Sequence, residues 1–374
     1  AYSFQSLQDG VQSRTIPMVI PVLDYQYNTM PLAGYGLYGF TALNTALYNT
    51  REHFKSNRIS VTQGVRMPYV SPVGAAFDLM GQVRADAYAV DTGERLIGEK
   101  PQNTSYTTGR IYPNAALTVS YPLTRTGRTS TQTLEPVAMV VAAPNGGNKE
   151  KIPNVDSLIF DFDDTNLFSA NRFAGYDRVE GGTRVNYGLK WSRFNHSSGR
   201  SVSALFGQSY RLSEDELMTD LLGYDSRNFS NYVGRIRYAG EYLTLNYRTR
   251  LNQRTFQSEK TEVGLLVGTA PLRVGVDYIT RKAYTIRENA YDDRKELYLT
   301  VNSQFSRNWS MAGKYRYDLT DKKKPLESGL MLRYDNECTA IIFDASKSFA
   351  EDRDYKGSTS FMVKFILKTL GGTK

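Results

Sequence analysis

Few side chains in this 374-residue chain could perform covalent or metal chemistry. The two histidines, His53 and His196, lie far apart in the sequence, and neither stands beside a Ser or Cys in a recognisable nucleophile setting. Cys338 is the only cysteine, which excludes a disulfide within the chain and a zinc site built on cysteines. We therefore expect no catalytic residues, no metal and no cofactor, and we predict that the protein is not an enzyme.

An acidic segment between positions 152 and 182 is the one place where a cation site deserves consideration. Asp161, Asp163 and Asp164 lie close together, but they lack the ligand spacing and the glycine of an EF-hand loop. The segment is long and rich in aromatic residues, so we expect it to fold over or into the mouth of its scaffold. The polar residues predicted at that mouth are Asp163, Asp164, Asn166, Asn171, Arg172 and Arg178.

Alternation of apolar and polar residues dominates the chain and predicts β-strands. About 18 segments follow this pattern, and most of them are roughly 9–13 residues long. Strands of soluble proteins usually have about 5–6 residues, whereas a tilted strand that spans a bilayer needs roughly 9–11. The polar faces carry Arg, Lys and Asn, which a dry core could accept only by burying charge. The pattern therefore predicts an all-β, transmembrane, antiparallel up-and-down β-barrel with its apolar face towards lipid.

Composition excludes other membrane and binding classes. The longest apolar run, Val137–Ala143, is far shorter than the roughly 20 residues that a membrane-spanning helix needs. The 27 tyrosines suit a surface that is apolar and meets water at its rims. The net charge of +8 is spread over strand faces, which favours an anionic surface ligand over nucleic acid.

The connections between strands alternate in length. Short turns at 67–73 and 335–337 alternate with longer connections such as 91–109 and 144–181. Outer-membrane barrels have short periplasmic turns and longer outside loops, so the C-terminus is predicted on the periplasmic side. The segment 144–181 is then a long outside loop, and 121–131 is the one periplasmic connection that is longer than expected.

The predicted topology also assigns two other features to one side of the membrane. Cys338 begins a strand after a predicted periplasmic turn, in an oxidising compartment, so its thiol is either inert or paired outside this chain. Ser213–Gly223 carries a capping box and a terminal glycine, which predict a short helix on an outside loop.

Four sequence blocks carry a resemblance to a known family. They are Thr131–Pro136, Ile152–Ser157, Asp163–Phe168 and Asn171–Gly182, and Cys338 follows near the end of the chain. The set resembles the C-terminal part of the LPS-assembly outer-membrane proteins of the LptD family. Weaker similarity extends back to about residue 16, so the resemblance covers nearly the whole chain.

The resemblance implies a barrel of about 26 strands, near the top of the known range. It also implies a periplasmic N-terminal β-jellyroll that receives LPS from a periplasmic bridge protein, and an LptE-like lipoprotein that plugs the lumen. Residues 1–374 would then be a partial barrel that lacks the jellyroll and the first strands. LPS would leave through a lateral seam, and the last strand of the chain would form one wall of it. The seam residues are Thr359, Phe361, Val363, Phe365 and Leu367.

Cys338 matches a family position whose cysteines bond to the periplasmic domain. Many members of the family carry two adjacent cysteines there, whereas Glu337 precedes Cys338 in this chain. The resemblance therefore implies one disulfide, from Cys338 to a cysteine of the missing N-terminal domain.

We expect the protein to insert LPS into the outer leaflet of the outer membrane of a Gram-negative bacterium. Basic residues on the polar strand faces could guide phosphorylated sugars, or could only solvate the lumen or contact the plug. They are Arg184, Lys190, Arg248, Arg250, Lys314 and Arg316. The alternative function is a porin or a TonB-type receptor for small solutes. An outer-membrane enzyme is a third class, but the two histidines supply no Ser/His or Asp/His group.

Overall fold

The computed structural model describes residues 18–31, 36–50, 54–97, 100–157, 161–213, 228–286, 289–320, 323–349 and 357–368. These residues form twenty β-strands, of which eighteen belong to one sheet and two form a separate hairpin. The described part of the chain contains no helix that could cross a membrane. The prediction of an all-β, antiparallel architecture is confirmed. The predicted helix Ser213–Gly223 lies, apart from its first residue, outside the described residues.

The strands follow one another in simple chain order. They are β1 (Met18–Asn28), β2 (Tyr38–Asn49), β3 (Lys55–Val70), β4 (Ala76–Ile97), β5 (Lys100–Ser120), β6 (Leu123–Thr126), β7 (Ser130–Ala142), β8 (Arg184–Asn195), β9 (Ser201–Arg211), β10 (Tyr232–Ala239), β11 (Leu243–Leu251), β12 (Ser258–Thr269), β13 (Leu272–Arg281), β14 (Tyr284–Ile286), β15 (Asn289–Tyr291), β16 (Arg294–Ser303), β17 (Trp309–Asp318), β18 (Pro325–Asp335), β19 (Thr339–Ser348) and β20 (Thr359–Leu367).

The chain divides into two compact units, and the first comprises residues 1–123, 134–190 and 206–232. Its strands β1 to β5 pair antiparallel with their neighbours in sequence, and β5 also pairs with β7. Many polar residues of these strands are covered, and many of the large apolar ones are exposed. On β3, for example, Arg58 and Ser60 are buried, whereas Ile59 and Val61 are exposed. This inverts the arrangement of a soluble sheet and suits strands that face lipid.

The second unit comprises residues 124–133, 191–205 and 233–374. Strands β11, β12, β13 and β16 to β20 form a continuous antiparallel ladder in chain order. The separate hairpin, β14 with β15, lies in the connection between β13 and β16. Large apolar side chains of the last strand, such as Phe361 and Phe365, are strongly exposed.

Two predicted connections are partly strands. The predicted outside loop 91–109 is wrong, because β4 and β5 continue as a hairpin that pairs up to Ile97 and Lys100. This extension carries polar residues on both faces, so its sequence does not show the alternation of apolar and polar residues that predicts a strand. The long connection 121–131 is a second hairpin, in which β6 lies beside the start of β7. The Gly127 N–H donates to the Ser130 carbonyl oxygen at 2.9 Å in its turn, and Thr124 contacts Thr133 across the hairpin at 3.1 Å. The connection is long because it contains this extra strand.

Candidate functional site

The connection between β7 and β8, residues 143–183, packs against the polar faces of the strands of the first unit. We call it the docked loop. Its apolar residues Ile152, Phe162, Leu167 and Val179 are almost fully buried, although they belong to a connection and not to a strand. Charged side chains anchor it at three places, and it packs against a pair of glycines at a fourth.

The first anchor is Glu180, a loop residue whose side chain is completely buried. Its carboxylate accepts hydrogen bonds from Arg211, at the end of β9, at 2.6 Å and from the loop residue Arg172 at 3.2 Å. Arg184, the first residue of β8, forms an ion pair with it at 3.2 Å. One carboxylate thus ties the loop to the facing ends of two strands.

The charge state of Glu180 is set by two opposing effects. Burial raises the pKa of Glu180, but the guanidinium groups of Arg172, Arg184 and Arg211 lower it, and the net direction is below its ordinary value. The carboxylate is therefore ionised at neutral pH. Its contribution to stability is present above the unfolded pKa of about 4.3 and is lost as the pH falls through the folded pKa.

Arg172 extends this anchor into a wider polar network. Its guanidinium also donates to Asn186 at 2.7 Å and to Ser209 at 3.2 Å, and it lies 4.8 Å from the centre of the Phe162 ring. Arg184 donates to the loop carbonyl of Ala170 at 2.6 Å. These contacts supply part of the hydrogen bonding of guanidinium groups that are costly to desolvate.

The second anchor is Arg58 on β3, which is also almost fully buried. Its guanidinium contacts the loop carboxylates of Asp177 at 2.5 Å and Asp156 at 2.8 Å. It also donates to Asn44 of β2 at 2.8 Å, and Asn44 donates to Asp24 of β1 at 2.5 Å. The loop is thereby connected through side chains to the first three strands.

The two carboxylates at Arg58 are shifted in opposite directions. Burial raises the pKa of Asp156, but Arg58 and the N–H groups of Asp177 and Tyr176 lower it, and the net direction is downwards. Burial and the neighbouring charge of Asp156 raise the pKa of Asp177. Arg58 is thus the counter-ion that allows two acidic residues to lie side by side in a buried place.

The third anchor is a pair of arginines that hold the main chain of the loop. Arg84 of β4 and Arg110 of β5 both pair with Asp86, at 2.8 and 2.5 Å, and all three are buried. Both guanidinium groups also donate to the carbonyl oxygen of Tyr176, and Arg110 donates to that of Asp177 at 2.9 Å. The Arg84 guanidinium lies 5.1 Å from the centre of the Tyr176 ring, which adds a cation–π contact.

The fourth contact is apolar and depends on two glycines. The loop residues Leu167 and Phe168 pack against Gly188 of β8 and Gly207 of β9. A Cβ atom at Gly207 would lie 2.5 Å from Leu167 Cδ2 and 2.6 Å from the carbonyl oxygen of Tyr187, and one at Gly188 would lie 3.3 Å from the Phe168 ring. The missing side chains make room for the loop.

Gly207→Ala is therefore expected to destabilise the docked loop by about 1–3 kcal/mol, as overpacking does in a filled interior. The measurement is trypsin cleavage of the full-length protein after Arg172, a bond that docking protects. Gly81→Ala is the matched control in the same unit, because a Cβ atom there meets nothing within 4 Å. Equal protection of Gly207→Ala and the wild type would contradict the close approach.

The predicted mouth residues all lie in the docked loop, where most of them shape the chain. Asp163 accepts from the Thr165 N–H at 2.8 Å, and Asn166 donates to the Asp161 carbonyl at 2.9 Å. Asn171 accepts from the Glu180 N–H at 3.2 Å. The main-chain N–H of Arg178 donates to Ser157 at 3.0 Å, and Asp164 is buried. Within the described residues, no group of His, Cys, Asp or Glu has the arrangement of a metal site.

Each of the six predicted basic residues lies beside a carboxylate. The pairs are Arg184–Glu180 (3.2 Å), Lys190–Glu135 (3.9 Å), Arg248–Glu262 (3.1 Å), Arg250–Glu259 (3.5 Å), Lys314–Glu327 and Arg316–Glu296 (2.6 Å). Arg184 is completely buried beneath the loop, whereas Lys190, Lys314 and Arg316 are between one third and one half exposed. Contact of these residues with LPS stays a prediction.

Sequence reasoning missed most of the strand residues that hold the loop. These residues occupy polar positions of alternating strands, where the sequence does not distinguish them from residues that face water. They are Arg58, Arg84, Asp86, Arg110 and Arg211. The available signal was weak: Arg84 and Asp86 lie two positions apart on one face of β4, and an acidic loop follows β7.

The last strand and the cysteine lie in the second unit. Cys338 is a free, exposed cysteine in the turn before β19, and its N–H donates to Asn336 Oδ1 at 3.0 Å. Strand β20 pairs with β19 from Thr359 opposite Lys347 to Leu367 opposite Thr339. The predicted seam residues Thr359, Phe361, Val363, Phe365 and Leu367 are all exposed.

Long antiparallel strands with exposed apolar faces and covered, charged polar faces define an outer-membrane β-barrel protein. Its family follows from the sequence: the family model described as LptD, LPS transport system D, matches residues 1–309. The chain belongs to the LptD family, and the protein is located in the outer membrane of a Gram-negative bacterium.

Named relatives agree with this assignment. The LPS-assembly protein LptD of Xylella fastidiosa strain Temecula1 is 26% identical over 85% of this chain and 40% of its own length. That of Nitrosococcus oceani is 23% identical over 96% of this chain and 48% of its own length. The chain thus spans less than half the length of these relatives. Among solved structures, the copper transporter OprC matches with a TM-score of 0.44 and 10% identity, covering 91% of this chain and 63% of OprC.

Proposed function

We propose that the protein to which this chain belongs transports LPS to the cell surface and inserts it into the outer leaflet of the outer membrane. The match of the LptD family model over residues 1–309 carries this proposal. The same match does not favour a porin or a receptor for small solutes. LPS is the substrate, an LptE-like lipoprotein occupies the lumen, and a periplasmic bridge protein delivers LPS through an N-terminal domain.

In this function the docked loop is a fixed part of the wall and not a moving gate. Its withdrawal would expose Glu180, Asp156 and Asp177 together with the guanidinium groups that they pair with. It would also expose the buried apolar residues Ile152, Phe162, Leu167 and Val179, and exposure of each such side chain costs about 1.5–3 kcal/mol. LPS sugars therefore pass beside a loop that stays docked, and the acyl chains leave through the seam at β20.

The exposed basic residues of the polar face guide the phosphorylated sugars through charge-assisted contacts. Arg316 and its neighbour Tyr315 provide a matched pair, because adjacent residues of one strand face opposite sides of the sheet. A photo-reactive amino acid at position 316 is expected to crosslink LPS only while new LPS is being exported. The same amino acid at 315 faces the membrane and should crosslink LPS whether or not export continues. Absence of an export-dependent adduct at 316 would contradict this path.

Cys338 forms a disulfide with the N-terminal domain of the full-length protein. Its exposure on a turn leaves the thiol accessible to such a partner. The full-length protein is expected to migrate differently on reducing and non-reducing gels, and Cys338→Ser should abolish the difference. Identical migration of the wild type under both conditions would refute the disulfide.

A further inference from the structure

A groove of about 610 Å³ crosses the exposed face of β3, β4 and β5, near the start of the docked loop. Its walls are Ile59 and Val61 of β3 and Ile111 of β5, which are 54%, 40% and 76% exposed. Ala85 and Ala87 of β4 lie between these walls, and their small side chains leave the space open.

The floor of the groove is main chain. Asp86 and Arg110 line it, although their side chains are buried and pair with each other at 2.5 Å. Gly109 lies opposite Ala87 in the ladder, and a Cβ atom there would meet the Asp86 carbonyl oxygen at 2.6 Å. The backbone of paired strands therefore fixes the shape of the groove.

One end of the groove carries a positive charge. The exposed side chain of Lys149 lines the groove, and its Nζ donates to the Gly109 carbonyl oxygen at 3.2 Å. An ammonium group has three donors, and this contact uses one of them. The hydrogen bond holds the amine at the rim in a position to meet an anion.

The outward residues of β3 show the level of the groove relative to the membrane. Lys55 and Asn57 are followed on the same face by the apolar Ile59. The register places Ile59 opposite Ala87, and Ala87 opposite Gly109. Apolar outward residues face hydrocarbon and lysines lie at the headgroup level. The groove therefore begins where the hydrocarbon ends, with Lys149 on the headgroup side.

We propose that this groove binds one lipid with a phosphorylated headgroup from the outer leaflet. One acyl chain lies between Ile59, Val61 and Ile111, and a phosphate pairs with Lys149. LPS presents this chemistry in the outer leaflet. The site goes beyond the proposed function, since it needs the protein to be in the outer membrane but does not need it to transport the lipid that it binds. None of the groove residues belongs to the seam strand β20.

Native mass spectrometry of the full-length protein in detergent, titrated with bisphosphorylated lipid A, tests this site. Lys149→Gln removes the charge and is expected to weaken lipid A binding by about tenfold, as for one lost charge-assisted contact. Ala87→Leu fills the groove and is expected to weaken binding by about tenfold as well, because the acyl chain loses its place. Lys282→Gln and Ala115→Leu are the matched controls and should not change it. Lys282 also donates to a neutral oxygen, that of Gln257 at 3.0 Å, and Ala115 is an exposed residue outside the groove.

Two further ligands distinguish a lipid phosphate from free phosphate as the partner of Lys149. Lipid A without its phosphates is expected to bind the wild type about as weakly as lipid A binds Lys149→Gln, and inorganic phosphate should not displace lipid A. Displacement by inorganic phosphate would reduce the site to an anion site and overturn the lipid proposal. Equal lipid A affinity of Lys149→Gln, Ala87→Leu and the wild type would also overturn it.

Discussion

Glu180→Gln is expected to destabilise the folded protein by about 3–5 kcal/mol, because it removes the negative charge that lies between three buried guanidinium groups. Arg172, Arg184 and Arg211 would keep their charges in a place with almost no access to water. The measurement is a urea titration of the full-length protein in vesicles, followed by the heat-dependent shift of its band on gels. Trypsin cleavage after Arg172 reports in parallel whether the loop leaves its site.

Glu327→Gln is the control for Glu180→Gln. Glu327 also pairs with a basic residue, Lys314, but both side chains are more than one third exposed. Pairs of this kind contribute about 0–1 kcal/mol, so the control should unfold almost like the wild type. If the two variants lost the same stability, burial of the Glu180 anchor would be refuted.

Arg58→Met is expected to have an effect of similar size and to change how stability depends on pH. Without the guanidinium, burial and mutual repulsion raise the pKa of both Asp156 and Asp177 above the unfolded value of about 3.9. A carboxyl group whose folded pKa is raised loses stability as the pH rises through that pKa. The variant should therefore become more stable as the pH falls from 7 to 5. In the wild type Arg58 holds the pKa of Asp156 down, so the change should be smaller.

Urea titrations of both proteins at pH 5, 6 and 7 measure this difference. Arg66→Met is the matched control, since Arg66 lies on the same strand and pairs with Asp78, but its side chain is 47% exposed. Arg66→Met should lower the free energy of unfolding by at most about 1 kcal/mol. A parallel pH dependence of Arg58→Met and the wild type would show that the two aspartates do not share Arg58 as their counter-ion.

The strands of the second half were predictable because their alternation is nearly unbroken. The pattern in 183–191, 242–250 and 359–367 corresponds to β8, β11 and β20 within a few residues. A strand that faces lipid on one side and polar groups on the other must alternate, so its sequence carries the signal by itself. The family was predictable for a different reason, since three of its four motifs lie in the docked loop and the fourth, Thr131–Pro136, lies in β7.

The contacts of the loop were not predictable from periodicity. Arg58 and Asp177 are 119 positions apart, and Arg211 and Glu180 belong to different elements. Which arginine meets which carboxylate depends on the register of the strands and on the path of the loop. The loop itself was expected to fold over or into a mouth, but its anchors on β3, β4, β5, β8 and β9 are set by the three-dimensional packing of the strands.

Depletion of the full-length protein in its own cell tests most directly whether this chain is part of an LPS-exporting outer-membrane protein. Newly made LPS is then followed by pulse labelling and membrane fractionation. We expect new LPS to accumulate in the inner membrane or periplasm, and surface LPS to fall before other outer-membrane proteins change. Normal delivery of LPS together with a lost uptake of a small solute would contradict the claim.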